Sequence, residues 1–205
     1  MRRIRHDQLT RRTSRMGCIG CRLLLKGGTG MILLVALSGL GIKAGVPTEY
    51  QVKVAYLYNL GRFVQWPAKG GAKADTTFPI CVLGMDPFGR SLDQVISGQA
   101  IDGLSVIARR VSTPEQARNC RVLFISSSED AALNDVLSTL GSAGVLTVSD
   151  MPQFIERGGM VGFLLQNNRV RFEVNLAAAK SAGLALSSQL LKLAVNVKGL
   201  DQSGG

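Results

Sequence analysis

Four apolar runs, each followed by a segment of helical character, constrain the fold of this chain more than any other feature of its sequence. The runs comprise residues 78–85, 104–111, 121–126 and 144–150. Strands that are apolar along most of their length are buried on both faces, as in a mostly parallel sheet between two layers of helices. We therefore predict a single α/β domain with three layers, a mostly parallel sheet and flanking helices.

The segments between these runs carry signals for helix starts. Asp86 and Pro87 are the predicted N-cap and first residue of a helix, and Pro114 begins a shorter helical turn. Ser128 is the predicted cap of a third helix. The alternation of strands and helices supports the parallel sheet.

If the first and third runs are parallel neighbours, as in a sheet of order 2-1-3, then Cys81, early in its strand, and Cys120, just before its strand, lie at the amino edge of the sheet. The carboxyl ends of the strands would then gather Asp86, Ser126–Ser128 and Asp150 at one edge. Ligands of open α/β sheets bind beyond this edge, and helix N-termini there can hold an anion. Ordinary helix capping explains the same residues and is the favoured interpretation.

The pattern changes in residues 158–175, which predict an antiparallel hairpin. Asn167 and Asn168 tolerate the positive φ of a tight turn, and the second arm alternates apolar residues with Arg169 and Arg171. We place this hairpin at the edge of the sheet. Its arginines are interpreted as a charged face that protects the edge, rather than as an anion site.

Helices are predicted at both ends of the domain. Thr48 and Gln51 form a capping box for the first helix. Its predicted apolar stripe comprises Val52, Tyr56, Leu60, Phe63 and Val64, broadened by Tyr50, Val54, Leu57 and Trp66. Core packing is favoured for these aromatics over an exposed partner-binding face. Asn175 caps a predicted long helix that ends at Gly199, with a stripe of Leu186, Leu190, Leu193 and Val197.

Residues 1–44 are typical of a cleaved signal peptide. They contain nine Lys or Arg and one acidic residue, and a short apolar run (31–42) precedes small residues. The run is shorter than the roughly 20 residues of a membrane-spanning helix. We expect export to the periplasm and a mature domain of residues 45–205, with an N-terminal membrane anchor as the alternative.

The net charge belongs mainly to this leader. The chain has 24 basic and 14 acidic residues, and removal of residues 1–44 leaves 15 and 13, a net charge of +2. A basic excess would have suggested nucleic acid as a partner, but the mature domain does not retain one. We therefore expect no nucleic-acid binding.

The mature chain keeps two cysteines, Cys81 and Cys120, and no histidine, because His6 lies in the leader. Without histidine, Ser-His-Asp and Cys-His catalysis and the usual zinc sites are excluded. A disulfide is favoured in an oxidising compartment, with two buried free thiols as the alternative. We predict no catalytic residue, cofactor or metal.

Several phrases together resemble the YfiR-like family over Glu49–Lys198. They are VKVAYLYNLGRFVQWP, FPICVLGMDPFG, NCRVLFIS, GVLTVSD, FIERGGMVGFLLQNNRVRFEVN and AAAKSAGLALSSQLLKLAVNV. The resemblance implies a periplasmic α/β protein of Gram-negative bacteria, and Cys81 and Cys120 match the family's commoner disulfide positions. This chain has no counterpart to a second cysteine pair, and it has Arg121 where family members often carry histidine.

The resemblance implies a non-enzymatic regulator that represses an inner-membrane diguanylate cyclase, or another sensor protein, through its periplasmic domain. Cyclic di-GMP output and biofilm formation would follow from that repression. An outer-membrane lipoprotein is a further expected partner, and a homodimer is a further expectation. The alternatives are a periplasmic module that binds a small ligand or anion, and a hydrolase that works without histidine.

Overall fold

The computed structural model describes residues 47–67 and 76–199, so the predicted signal peptide lies outside the described residues. The helices are α1 (Glu49–Arg62), α2 (Arg90–Ile96), α3 (Pro114–Ala117), α4 (Leu133–Leu140), α5 (Leu176–Ser181) and α6 (Ser188–Leu193). The strands are β1 (Val64–Gln65), β2 (Thr77–Leu83), β3 (Ala100–Ile101), β4 (Leu104–Val111), β5 (Val122–Ile125), β6 (Leu146–Ser149), β7 (Val161–Gln166), β8 (Arg169–Asn175), β9 (Ala185–Leu186) and β10 (Val197–Lys198).

Eight of the described strands form one mostly parallel sheet in the order β10-β8-β7-β6-β5-β2-β4-β3. The strand β2 is parallel to both β4 and β5, and β6 and β7 continue the parallel run. The predicted α/β fold is confirmed, and the first three apolar runs lie in the order 2-1-3. The strands β1 and β9 make a separate two-stranded sheet.

Side chains alternate between the two faces of the sheet and fill two separate hydrophobic clusters. Ile80 and Val82 of β2 lie in the cluster that packs against α1 and α2. Cys81 and Leu83 lie in the cluster that packs against α3 and α4. This segregation confirms the three-layer architecture, since each face of a buried strand supplies one core.

The hairpin is confirmed, with a qualification about its position. Asn167 and Asn168 adopt φ of 49° and 59°, the left-handed conformation that a two-residue turn between antiparallel strands requires. The strand β8 is not the outermost strand, because β10 pairs with it in parallel over two residues, Val174 and Asn175. The rest of its outer side faces no described strand.

The prediction of a long C-terminal helix is wrong. Asn175 does cap a helix, since its side chain accepts a hydrogen bond from the Ala178 N–H at 3.0 Å, but that helix ends at Ser181. Gly183 then adopts φ of 75°, and β9 pairs with β1. Ser187 caps α6 as a new helix, which leaves Leu193 61% exposed.

The positions of two other helix starts also differ from the prediction. The helix α2 begins at Arg90, because Asp86 accepts the N–H groups of Phe88 and Gly89 and makes a turn instead of a cap. Ser126, rather than Ser128, caps a 3-10 helix over Ser127–Ala132 that leads into α4.

The capping box of α1 is confirmed, and the predicted stripe is confirmed in part, since its centre is formed by Leu60 and by Val54 and Leu57, which were predicted to broaden it. Val54, Leu57 and Leu60 are at most 1% exposed, whereas Val52 and Tyr56 lie at the margin of the interface.

In the part of the chain that the structure describes, no helix combines the length and apolar character needed to cross a membrane.

Candidate functional site

Cys81 and Cys120 form a disulfide with a Cα–Cα distance of 6.0 Å. Both residues are buried, on the face of the sheet that α3 and α4 cover. Cys81 lies past the middle of β2, opposite Leu123, so the expectation that it lies early in its strand is wrong. The reason is that β2 begins at Thr77, whereas β5 begins opposite Ile80.

The carboxyl edge of the sheet holds a buried cation that the sequence did not predict. Lys53 of α1 is 4% exposed, and its Nζ lies 2.6 Å from both Glu49 Oε1 and Asp150 Oδ2. The same Nζ lies 4.5 Å from the centre of the Tyr50 ring. Lys53 thus links the first turns of α1 to the end of β6.

The surroundings of Lys53 favour its charged form. Burial lowers the pKa of Lys53, but the hydrogen bonds and charges of Asp150 and Glu49 outweigh burial, so the net pKa is raised. The pKa of Tyr50 is also raised, by burial first and by the charge of Asp150 next. Lys53 is therefore held as a cation between two carboxylates.

The carboxylate of Asp86, at the same edge, is also bound by a protein group. Its Oδ2 accepts from Arg110 Nε at 2.9 Å, and Arg110 binds both carboxylate oxygens of Asp93 at 2.8 Å. The hydrogen bond from Arg110 is the main reason that the pKa of Asp93 is lowered.

The serines of this edge bind the neighbouring loop. Ser128 Oγ accepts the Met85 N–H at 2.9 Å and donates to Glu129 Oε1 at 3.1 Å. Gly84 has φ of 83°, and a Cβ at this position would lie 2.4 Å from Ser128 Oγ. The structure therefore brings Asp86, Ser126–Ser128 and Asp150 to one edge, but Asp86, Ser126, Ser128 and Asp150 bind protein groups, which argues against the anion-binding alternative.

A groove of about 430 Å³ lies between the exposed sides of α1 and the hairpin. Val52 and Tyr56 line its helical side, and Leu165 and Val170 line its sheet side. The Tyr56 ring packs against Phe163 and Phe172 beneath it, with ring centres 5.9 and 5.7 Å apart. Arg169 and Arg171 border the groove, so the residues interpreted from sequence as edge protection lie beside a concave surface.

Metal chemistry has no support in the residues that the structure describes, where no group of three or more His, Cys, Asp or Glu side chains could hold an ion.

Comparison with known proteins gives a family match. A family model described as YfiR/HmsC-like matches residues 50–195, which include all of the described helices except the first residue of α1.

A solved structure shares the fold at low sequence identity. A conserved domain protein from Vibrio cholerae O1 biovar El Tor is 11% identical, with a TM-score of 0.52 over 74% of this chain and 60% of that one. An ABC domain in complex with L-Trp from Streptococcus pneumoniae is 14% identical, with a TM-score of 0.46 over 72% of this chain and 60% of that one. The chain thus spans about 60% of the length of each.

Proposed function

The chain belongs to the YfiR/HmsC-like family, and from that premise we propose that it binds the periplasmic domain of an inner-membrane diguanylate cyclase and represses it. The family consists of periplasmic regulators of cyclic di-GMP signalling, and this role is the general part of the proposal. The cyclase as partner, the repression and the export of this particular chain are its specific parts.

The observation that carries the proposal is the extent of the family match, which runs through both layers of helices and every described strand of the main sheet except β10. Two features of the structure support a binding role. The ionisable groups at the carboxyl edge of the sheet bind one another, and the described surface carries a groove bordered by exposed arginines and apolar side chains. An outer-membrane lipoprotein that relieves the repression belongs to the same proposal.

The proposal is tested by deleting the gene in a host that expresses the partner cyclase. We expect cyclic di-GMP and surface attachment to rise, because an active cyclase is no longer held back. Expression of residues 1–205 should restore the low level, and expression of residues 45–205 without the leader should not, because that protein stays in the cytoplasm. An unchanged cyclic di-GMP level in the deletion strain would contradict repression.

A further inference from the structure

Part of the outer side of β8, beside the groove, pairs with no described strand. Alternate residues of this strand turn their polar groups away from β7: the Phe172 carbonyl accepts the Val195 N–H, and the Val174 N–H donates to the Asn196 carbonyl, both at 2.9 Å. Val170 lies two residues before Phe172, so its backbone N–H and carbonyl also point away from β7. Among the described residues, its carbonyl meets the Tyr56 hydroxyl at 3.5 Å and its N–H faces no strand.

Exposed apolar side chains lie near this short open edge. Leu165, which is opposite Val170 in the hairpin, is 53% exposed. Val195, whose N–H marks the point where pairing along this edge begins, is 44% exposed. An open strand edge near exposed apolar side chains is a template for an added strand, in which backbone hydrogen bonds hold the segment and alternate side chains enter the groove.

The charges along the edge indicate what kind of segment fits. Arg169 and Arg171 project from the same face of β8, and both are exposed. Neither takes part in an ion pair with another described residue. Of the nearby acids, Glu49 is paired with Lys53, and Glu173 is half-buried farther along the strand. The open part of the edge is therefore locally positive.

We propose that the outer edge of β8, from Arg169 to Arg171, binds an extended segment of a partner protein in which acidic and apolar residues alternate. The apolar residues of the segment enter the groove toward Val52 and Tyr56, and its acidic residues pair with Arg169 and Arg171. This inference rests on the proposed function in that both require a protein partner, and it names the surface and the chemistry of the contact.

A second copy of this chain fits the same edge poorly. Antiparallel pairing of two β8 edges about Val170 would place Arg169 of one copy opposite Arg171 of the other. Like charges directly opposite each other on neighbouring strands are destabilising. The charge pattern thus favours a different, acidic partner over a homodimer formed through this edge.

The test uses the purified domain and a defined peptide, acetyl-(Glu-Val)4-amide, followed by NMR of the backbone amides. We expect the Val170 and Phe172 amide signals to shift on titration, with little change in the remote α2. The peptide acetyl-(Lys-Val)4-amide, which has the same length and alternation, should bind at least about tenfold more weakly because its charges meet arginines.

Substitutions then separate this edge from a general effect of charge. Arg169→Glu with Arg171→Glu should weaken binding of the acidic peptide about tenfold or more. The matched control is Arg90→Glu with Arg109→Glu, which changes the net charge equally at two exposed arginines outside the described ion pairs. The control should bind as the original protein does.

Several outcomes would overturn the proposal. They are equal binding of the two peptides, signal shifts confined to another surface, or concentration-dependent self-association through β8. Capture of the domain by phosphatidylglycerol vesicles without a response to the acidic peptide would also overturn it, in favour of a membrane surface. If the peptide binds as expected but deletion of the gene leaves cyclic di-GMP unchanged, the docking edge stands and repression of a cyclase fails.

Discussion

At the residue scale, the main finding is that charged side chains near the carboxyl edge of the sheet are used to join elements. Lys53 is almost fully buried and bridges Glu49 and Asp150, which lies 97 residues away in the chain. The Glu49–Lys53 spacing is visible in the sequence as an ordinary pair one helical turn apart. The burial of the lysine depends on Asp150, and no local pattern encodes that contact.

Substitution of Lys53 by Met should lower the free energy of unfolding by about 2–3 kcal/mol, because it leaves Asp150 without its partner in a mostly buried position. Urea denaturation measures the change. Lys192→Met, at an exposed lysine of α6, is the control and should change stability by less than about 0.5 kcal/mol.

The double variant Lys53→Met with Asp150→Asn should recover part of the loss, since the uncompensated carboxylate is then removed. A Lys53→Met protein as stable as the original would show that the pair contributes nothing.

Asp93→Asn should lower stability at neutral pH by less than about 1 kcal/mol, because the Asp93 carboxylate is 55% exposed. The folded-state pKa of Asp93 is lowered by Arg110, so its contribution is present above the unfolded pKa near 3.9 and is lost as the pH falls through the folded value. Melting temperatures of the two proteins should therefore differ at pH 7 and converge in strong acid. A difference that grows below pH 4 would contradict this sign.

At the element scale, segments governed by local contacts were predicted well. The first helix has its capping box, and the hairpin turns at the two asparagines with a two-residue loop. The prediction of one long C-terminal helix failed, because the leucine spacing of this segment also suits α6 followed by β10. What ends α5 is a glycine in a left-handed conformation and the pairing of Leu186 with Val64, more than a hundred residues earlier.

Asn168→Val should lower the free energy of unfolding by about 1–2 kcal/mol, because a β-branched residue is strained at the φ of 59° observed here. Chemical denaturation of the domain measures this loss. Asn168→Gly should be tolerated, since glycine adopts positive φ without strain. Asn119→Val provides a matched exposed control and should change stability by less than about 0.5 kcal/mol; an equal loss at both sites would argue against turn strain.

At the scale of the whole molecule, the sheet separates two sets of features. The disulfide lies within the α3 and α4 face, whereas the groove and Tyr56 belong to the opposite face with α1. The apolar runs of the sequence predicted the three layers and the mostly parallel sheet. It did not predict the groove, because the groove forms between α1 and a hairpin that approach each other only through the complete sheet.

Replacement of both Cys81 and Cys120 by alanine should lower the free energy of unfolding by roughly 2–5 kcal/mol, since the bond restricts a loop of 39 residues in the unfolded chain. The groove on the other face should still bind the acidic peptide at temperatures where the variant is folded. Non-reducing peptide mapping of exported protein should give one cross-linked pair; two thiols open to alkylation would contradict the bond.

The strand order also bears on how a chain that leaves the ribosome or an export pore amino end first is assembled. The strands β4 and β5 pair with β2, β6 with β5, β7 with β6 and β8 with β7, so each of these strands meets a neighbour that has already emerged. The helix α1 emerges before all of them, yet Tyr56 reaches Val170 only 114 residues later. The surface assigned to the partner is thus among the last parts to be completed, and a truncated chain would carry most of the sheet without it.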